Sequence, residues 1–316
     1  MTTSGKRRLL VIVNPYATTV SDRLKNLVIY ALQGRFEVEV EATDRQQHAI
    51  EIGCDARNGG YDLVVAFGGD GTVNEVVNGL AGTDIPVTFL PGGNTNVVCR
   101  TLGIPNDVVD ATEHLLSLAD DFQPRKIDLG LINNRYFVFS CGAGIDATVV
   151  KKVDANPRLK SKAGPYFYSW HAVSGYLRSY MRNPVQVEVT VDGEVHQGVT
   201  ALTQNSDPFT YFGKQPVHVC ENCVIDDGSL GMVLLKRANQ LDVVSIIPRL
   251  LSTRLSAVKH GQVETFEQLT EATIRSLSDD EDGVVRSFPV QVDGDYLGNF
   301  EEVKIEAAPE ALTIIA

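Results

Sequence analysis

The sequence predicts a mixed fold in which parallel α/β units come first and antiparallel strands follow. Over residues 1–127, apolar β-branched runs alternate with stretches of helical periodicity, which is typical of a parallel sheet covered by helices. After residue 127, short runs of alternating polarity are separated by turn signals such as Asn-Asn and Asp-Gly. We therefore expect an N-terminal Rossmann-like α/β domain and a C-terminal all-β domain, built as an antiparallel β-sandwich.

The predicted domains cover residues 1–127 and 128–307, and the segment 308–316 is left open as a return to the first domain. In the first domain, apolar runs predict strands at 8–13, 36–41, 63–67 and 87–90. Helical spacing, capping residues and stop signals predict helices at 21–32, at 45–58, from 72 onward, from the second glycine turn to Gly103, and at 107–119.

The second domain is predicted mainly from alternating runs. Strands are expected at 126–132, 136–141, 185–191, 199–203, 232–235, 273–277 and 290–292, with two more at 303–307 and 312–315. Two helical stretches, 166–181 and 240–255, interrupt this pattern.

The stretch 63–75 carries the clearest functional signal. A short buried strand runs into Gly68-Gly69-Asp70-Gly71, where glycines permit close approach of the backbone to a ligand. Thr72 and Glu75 fit a capping box, which predicts a helix start with free N–H groups that favour an anion. A plain strand–turn–helix would explain the glycines but not Asp70, whereas a Mg²⁺-nucleotide complex explains both, because a cation can lie between carboxylate and phosphate.

A second turn of the same kind follows the next predicted strand. It reads Pro91-Gly92-Gly93-Asn94-Thr95-Asn96, and an Asn-Pro turn, Asn14-Pro15, ends the first strand. Because the carboxyl ends of parallel strands lie at one edge of a sheet, two such neighbouring loops are expected to hold a nucleotide between them.

Composition narrows the classes of function. The net charge of −12 argues against nucleic-acid binding. No apolar run is long enough to span a membrane and no secretory leader is evident, so a cytoplasmic protein is expected. The five cysteines are expected to be free thiols rather than a disulfide framework.

Three further motifs are ambiguous in sequence. Gly142 to Ala147 fits a dinucleotide fingerprint only weakly, because it lies in the antiparallel half. Cys220 and Cys223, with His218 nearby, suggest a zinc or redox site, but the further ligands of a zinc site are lacking, so buried or solvated thiols are expected. Asp226-Asp227-Gly228 is either a simple β-turn or a turn that binds a divalent cation.

The segment Lys151–Arg182 concentrates positive charge, with seven Lys or Arg residues against one acid, and it is also rich in aromatic residues. It is either a solvated helix with a core-facing aromatic stripe or a surface that docks peripherally on an anionic membrane.

The stretch Gly68 to Leu80 resembles the nucleotide-binding signature of the diacylglycerol kinase catalytic-domain family, which includes bacterial lipid kinases and sphingosine and ceramide kinases. The resemblance continues along nearly the whole chain, through Asn14-Pro15, Thr43, the loop 91–100, the segment 137–147 and the acidic turns 226–228 and 292–294.

The resemblance implies an ATP-dependent kinase that phosphorylates a lipid hydroxyl. Its implied nucleotide-binding residues are Asn14, Pro15, Thr43, Gly68, Gly69, Asp70, Gly71, Thr72, Glu75, Gly93, Asn94, Thr95 and Asn96. It also implies a Mg²⁺ ion near Asp70 and a structural Mg²⁺ held by Asp227 with the carbonyls of Val224 and Ser229. Asp295 takes the position of the family's glutamate base, so Asp70 and Asp295 are the expected catalytic residues.

Departures from the family pattern keep two alternatives open. Val97 replaces an acidic residue of the second loop, Tyr16 to Thr19 lack a lysine common after the Asn-Pro turn, and Asp295 replaces the glutamate. The alternatives are a kinase for a soluble substrate such as NAD and a catalytically silent lipid-binding or regulatory protein. A homodimer is also left open.

Overall fold

The computed structural model describes residues 5–17, 19–144, 184–213, 215–237, 239, 242, 245–246, 249–250, 256–279 and 283–316. The chain divides into two compact units. Unit 1 comprises Met1–Leu129 and Pro309–Ala316, and unit 2 comprises Gly130–Ala308.

Unit 1 is built around a parallel sheet. Its strands are β1 (Arg8–Val13), β2 (Glu37–Ala42), β3 (Leu63–Gly68) and β4 (Val87–Pro91), in the order β2-β1-β3-β4. Every residue of β3 and β4 is buried, as expected for apolar strands covered on both faces. The C-terminal segment joins this unit, since Ile314 pairs with Val87 of β4 in parallel register.

Two of the five helices described in unit 1 begin at a capping side chain, and the other three do not. The five helices are α1 (Asp22–Gln33), α2 (His48–Ala56), α3 (Asp70–Leu80), α4 (Val97–Thr101) and α5 (Val108–Leu118). Ser21 and Asp107 cap α1 and α5 by accepting hydrogen bonds from first-turn N–H groups. Gly103 ends the α4 segment with φ +77°, a conformation that glycine adopts easily.

The predicted capping box at Thr72 and Glu75 is wrong. The N-cap of α3 is Gly69, and the helix is already formed at Asp70, so Thr72 lies within its first turn. The Thr72 hydroxyl accepts a hydrogen bond from the Asn14 side chain instead. The extended backbone of Gly69 lets the chain enter the helix directly from the strand, without a side-chain cap.

Unit 2 is antiparallel and has two layers. One sheet has the order β14-β13-β10-β7-β16-β17, and β15, β8 and β9 follow one another beside the final strand β18. Strand β5 (Arg125–Ile132) begins in unit 1 and ends in unit 2, and β18 (Glu302–Ile314) begins in unit 2 and ends in unit 1. The strands between them are β6 (Arg135–Phe137), β7 (Ser140–Ala143), β8 (Val187–Val191), β9 (Glu194–Gly198), β10 (Thr200–Gln204), β11 (Thr210–Phe212), β12 (Gln215–Val217), β13 (Leu230–Leu235), β14 (Val263–Leu269), β15 (Glu271–Ser276), β16 (Phe288–Val292) and β17 (Asp295–Phe300).

One core joins the two layers of unit 2. It packs Val187 and Ile274 of one sheet with Met232 and Val290 of the other, all fully buried. The predicted fold class, a parallel α/β domain followed by an antiparallel β-sandwich, is therefore confirmed. Strands β9, β14 and β17 are not predicted by the sequence, because their residues are mostly exposed or half-buried and lack an apolar run.

The two predicted C-terminal strands are one strand, β18. The sequence suggests a break at Pro309, which has no N–H to donate to a sheet. The next residue, Glu310, has φ +50°, and its N–H donates to the buried Asp128 carboxylate at 2.8 Å. This hydrogen bond satisfies the Glu310 N–H where the backbone departs from regular strand geometry, so the strand continues.

Three predicted features fall wholly or mostly on residues that are not described. The predicted helix 166–181 and the basic segment Lys151–Arg182 lie outside the described residues, as does most of the predicted helix 240–255. Among the helices that are described, none is both long and apolar enough to cross a membrane.

The hairpin between β16 and β17 contains Asp293, which the sequence identifies only as part of an acidic turn. Asp293 and Gly294 both have positive φ, at +48° and +84°, which is the conformation of a tight two-residue hairpin turn. The Asp293 carboxylate is buried and accepts hydrogen bonds from the N–H groups of Val138, Phe139 and Ser140 at 2.8, 3.0 and 3.1 Å. Asp293 therefore joins the hairpin to the start of β7.

Replacing Asp293 by Ala should destabilise the protein by about 3 kcal/mol or more, because several buried N–H groups would lose their acceptor. The matched control is Asp295→Ala in the same hairpin, where the side chain is exposed, and its expected effect is within about 0.5 kcal/mol. Urea unfolding of both variants measures the difference. Equal unfolding midpoints for the two variants would contradict the assigned role of Asp293.

Candidate functional site

The strand-end loops of unit 1 form the candidate site. Asn14 follows β1, Thr43 follows β2, Gly69 follows β3 and Gly92 follows β4. These strands are parallel neighbours, so their loops emerge at the same edge of the sheet.

Asn14 connects the first loop to the helix after the central strand. Its backbone N–H donates to the Phe67 carbonyl at 3.0 Å, and its side-chain amide donates to the Thr72 hydroxyl at 3.1 Å. Its side-chain carbonyl accepts from the Tyr16 N–H at 2.9 Å, which shapes the Asn-Pro turn. Three predicted site residues, Asn14, Pro15 and Thr72, are thus brought together.

The two glycine turns touch backbone to backbone. The Gly92 N–H donates to the Gly68 carbonyl at 2.7 Å. A Cβ on Gly92 would lie 2.8 Å from the Gly68 Cα, and one on Gly93 would lie 3.0 Å from the Gly69 Cα. Side chains at Gly68, Gly92 or Gly93 would therefore force the turns apart or displace Thr72. The expectation that these loops are neighbours is confirmed.

Asp70 lies between the starts of two helices. It is half-buried in the first turn of α3, and one carboxylate oxygen accepts a hydrogen bond from the Val98 N–H of α4 at 3.3 Å. Burial, and secondly the charge of Asp70, raise the pKa of the Cys99 thiol to about 12, so that thiol is neutral at ordinary pH. A carboxylate is thus held within the group of strand-end loops.

Asn96 organises the second turn. It is buried with φ +48°, its carbonyl oxygen accepts from the Gly93 N–H at 2.9 Å, and its amide donates to the Gly93 carbonyl at 2.8 Å. The amide also donates to the Asn106 side chain at 2.9 Å. Asn96 therefore shapes the loop, while Asn94 is exposed and Thr95 half-buried at its tip.

Thr43 and Glu75 differ in their surroundings. Thr43 is buried at the same sheet edge, where its N–H donates to the Val13 carbonyl at 2.9 Å. Glu75 instead faces the start of α2, since its two carboxylate oxygens accept from the Gln47 and Ala49 N–H groups at 2.9 and 3.2 Å. The structure thus gives Glu75 a partner 26 to 28 residues away, which no local motif could indicate.

The acidic turn at 226–228 is a hydrogen-bonded turn. Gly228 has φ +77°, and one Asp227 carboxylate oxygen accepts from both the N–H and the hydroxyl of Ser229 at 2.9 Å. Val224, three residues before Asp227 in the sequence, is about half exposed. Within the described part of the chain, no group of three or more His, Cys, Asp or Glu side chains is placed to hold a metal ion. A cation at Asp227 would therefore need backbone carbonyls and water as its other ligands.

Comparison with known proteins covers both units. Residues 8–132 match the diacylglycerol kinase catalytic domain, and residues 140–316 match the YegS C-terminal NAD kinase beta sandwich-like domain. A crystal structure of a diacylglycerol kinase from Bacillus anthracis shares the fold, with a TM-score of 0.70, 22% identity and coverage of 98% of this chain and 96% of that one.

Two staphylococcal relatives match most of the chain. A diacylglycerol kinase of Staphylococcus haemolyticus is 28% identical over 279 residues, or 87% of this chain and 77% of the relative. One from Staphylococcus aureus is 29% identical over 301 residues, or 93% and 87%. With the glycine turns at the sheet edge and the two domain matches in succession, these similarities show that the chain belongs to the diacylglycerol kinase catalytic-domain family, a family of phosphotransferases.

Proposed function

We propose that this protein is an ATP-dependent lipid kinase that transfers the γ-phosphate of ATP to the hydroxyl of a diacylglycerol-like lipid. The observation that carries the proposal is the backbone contact between the two glycine turns, beside Asp70, at the carboxyl edge of a parallel sheet. Family membership supports the use of ATP, and the names of the staphylococcal relatives support the lipid acceptor.

In this proposal the strand-end loops bind the nucleotide. Gly68, Gly69 and Gly71 would let phosphate oxygens approach the backbone N–H groups at the start of α3, and the dipole of this helix favours negative charge there. Asn14, Thr72 and the 93–96 turn border the same edge of the sheet. Pro15 and Thr43 flank it at the ends of β1 and β2.

The available oxygen donors suit Mg²⁺. A hard divalent cation prefers carboxylate, carbonyl, hydroxyl and water oxygens, and it commonly joins one or two carboxylates to substrate phosphates. Asp70 is the carboxylate within the group of loops and would hold such an ion, which would neutralise charge as the phosphoryl group transfers. Asp227, with the carbonyls of Val224 and Ser229, would hold a second, structural ion.

Asp295 is the proposed general base. It is exposed at the first position of β17, directly after a hairpin turn that Asp293 anchors to the backbone of β7. A carboxylate on a firmly held turn is suited to accept the proton of a lipid hydroxyl as the phosphoryl group transfers. The match of the turn 292–294 to the family pattern supports the assignment.

One observation favours a second candidate function. The C-terminal match is to an NAD kinase-like β-sandwich, so a soluble acceptor such as NAD is the alternative to a lipid. The concentration of seven basic residues in 151–182 supports the lipid instead, because anionic membranes attract such segments.

A radiolabelled-ATP screen distinguishes these functions. Diacylglycerol, sphingoid bases, ceramide and phosphatidylinositol would each be presented in detergent and in anionic vesicles, with NAD as the soluble acceptor. We expect label in a lipid product and none in NAD. Label in NAD alone would establish the soluble-substrate alternative, and label in no acceptor would favour the silent homologue.

Replacing Asp70 by Asn should leave the protein folded and lower turnover by at least about 10²-fold, because the charge facing the cation is lost while the side-chain volume is kept. The control is Asp55→Asn on the exposed surface of α2, which should retain full activity. Initial rates of lipid phosphorylation with saturating ATP measure the effect. Unchanged turnover in a folded Asp70→Asn variant would refute the proposed role.

Replacing Asp295 by Asn should lower turnover by roughly 10²–10⁴-fold with little change in ATP affinity, the pattern expected when a general base is lost. Asp295→Glu keeps the carboxylate and should retain substantial activity. Steady-state kinetics and equilibrium ATP binding separate the two effects. If the Asn variant turns over normally, the base is another residue.

If Asp227 holds a structural cation, Asp227→Ala should gain less thermal stability from added Mg²⁺ than the parent. Binding to the native state stabilises by about 1.4 kcal/mol at ten times the dissociation constant, and the variant should lose this gain. Asp226→Ala is the control and should keep the response of the parent. Equal Mg²⁺ responses in all three proteins would support a simple turn.

A further inference from the structure

Cys220 and Cys223 lie with their sulfurs against the same point of strand β13. A Cβ on Gly231 would lie 2.7 Å from the Cys220 Sγ and closer still to the Cys223 Sγ. The two sulfurs therefore share a space that exists only because residue 231 has no side chain. The sequence alone predicts ordinary thiols at these positions, and the proximity of the two sulfurs changes that interpretation.

The backbone around the pair is held in place. Asn222, between the cysteines, has φ +66°, which turns the chain back on itself. The buried Gln204 side chain donates to the Cys220 carbonyl at 2.9 Å and accepts from the Cys220 N–H at 3.2 Å. The Cys223 carbonyl accepts from the Asp207 N–H at 3.2 Å. The proximity of the thiols is thus a property of an anchored turn.

A metal site does not account for the pair. The nearby His218 directs its Nδ1 at both carboxylate oxygens of Asp207, each at 2.9 Å. No group of three or more His, Cys, Asp or Glu side chains in the described residues is placed to hold a metal ion. Both cysteines are free thiols.

The two thiols are unequally exposed. Cys220 is fully buried, whereas Cys223 is only partly buried. A more accessible thiol next to a buried partner is the arrangement found in redox-sensitive cysteine pairs.

A small cavity lies beside the cysteine pair. It has a volume of about 100 Å³ and is lined by both cysteines, together with Asp227, Ser229 and Gly231. A water molecule occupies about 30 Å³ of liquid, so the cavity has room for a molecule the size of hydrogen peroxide.

We propose that Cys220 and Cys223 are a dithiol that a hydroperoxide oxidises reversibly to an intramolecular disulfide. The Cys223 sulfur attacks the O–O bond, giving a sulfenic acid, and the thiol proton leaves with the departing oxygen as water or an alcohol. The Cys220 sulfur then attacks the Cys223 sulfur, forming the S–S bond and releasing water. The two sulfurs supply the two electrons that reduce the peroxide. The proposal does not depend on the kinase activity.

Peptide mapping of the full chain after treatment with hydrogen peroxide tests the proposal without any substitution. We expect a linked Cys220–Cys223 peptide that is lighter by two hydrogens and is restored by a dithiol reductant. The control is Cys54→Ser, which removes an exposed cysteine and should leave formation of this linkage unchanged. Absence of the linkage when Cys54 is already oxidised would overturn the proposal.

Two conservative variants test the order of events. Cys220→Ser should leave Cys223 as a sulfenic acid that a 1,3-dione captures, because no partner thiol remains. Cys223→Ser should slow oxidation of Cys220 by roughly tenfold or more, because the more accessible thiol is missing and Cys220 is fully buried. Equal oxidation rates in the two variants, or dione capture at Cys220 alone, would refute the assigned roles.

Discussion

Backbone contact between Gly68 and Gly92 is the constraint on which the candidate site depends. Adjacent parallel strands lie only about 4.8 Å apart, so turns that leave neighbouring strands at the same edge compete for one space. The hydrogen bond from Gly92 to Gly68 and the close approach of Gly93 to Gly69 are sterically accessible only to glycine. The loops after β3 and β4 thus border the same edge as Asn14.

Carboxylates that accept backbone N–H groups determine much of the remaining geometry. Asp70 contacts the start of α4, Glu75 contacts the start of α2, and Asp293 contacts three successive N–H groups before and at the start of β7. A buried carboxylate is stable only when hydrogen bonds replace its lost hydration. Each of these residues therefore lies where two separate segments of the chain contact each other. The hairpin turn just before Asp295 is held in position by the hydrogen bonds of Asp293.

The same reasoning separates two cysteine patterns that look similar in sequence. Cys99 lies alone in α4, where burial and the charge of Asp70 keep its thiol neutral. Cys220 and Cys223 share the space beside Gly231, and only Cys223 is partly exposed. Reactivity follows from the neighbouring atoms and not from the spacing of the two cysteines alone.

The amino-acid sequence by itself determined the elements whose signals are local. Strands β1 and β3 follow from continuous apolar runs, and α1 and α5 from the caps at Ser21 and Asp107. The glycine turns follow from composition, because only glycine allows two backbones to approach this closely without steric cost. The two-domain fold class followed from the change of periodicity near residue 127, since helices and strands repeat with different periods.

Features that depend on distant partners emerged only when the chain was folded. The predicted capping box at Thr72 was wrong because the chain enters α3 directly from β3. The Glu75 carboxylate instead accepts a hydrogen bond at the start of α2. Strand β18 continues past Pro309 because Asp128 supplies an acceptor, and Asp293 proved to be an anchor because of N–H groups 153 to 155 residues earlier. Hydrogen bonding of buried polar groups and close packing act between residues that are far apart in the chain, and a linear pattern contains no record of those distances.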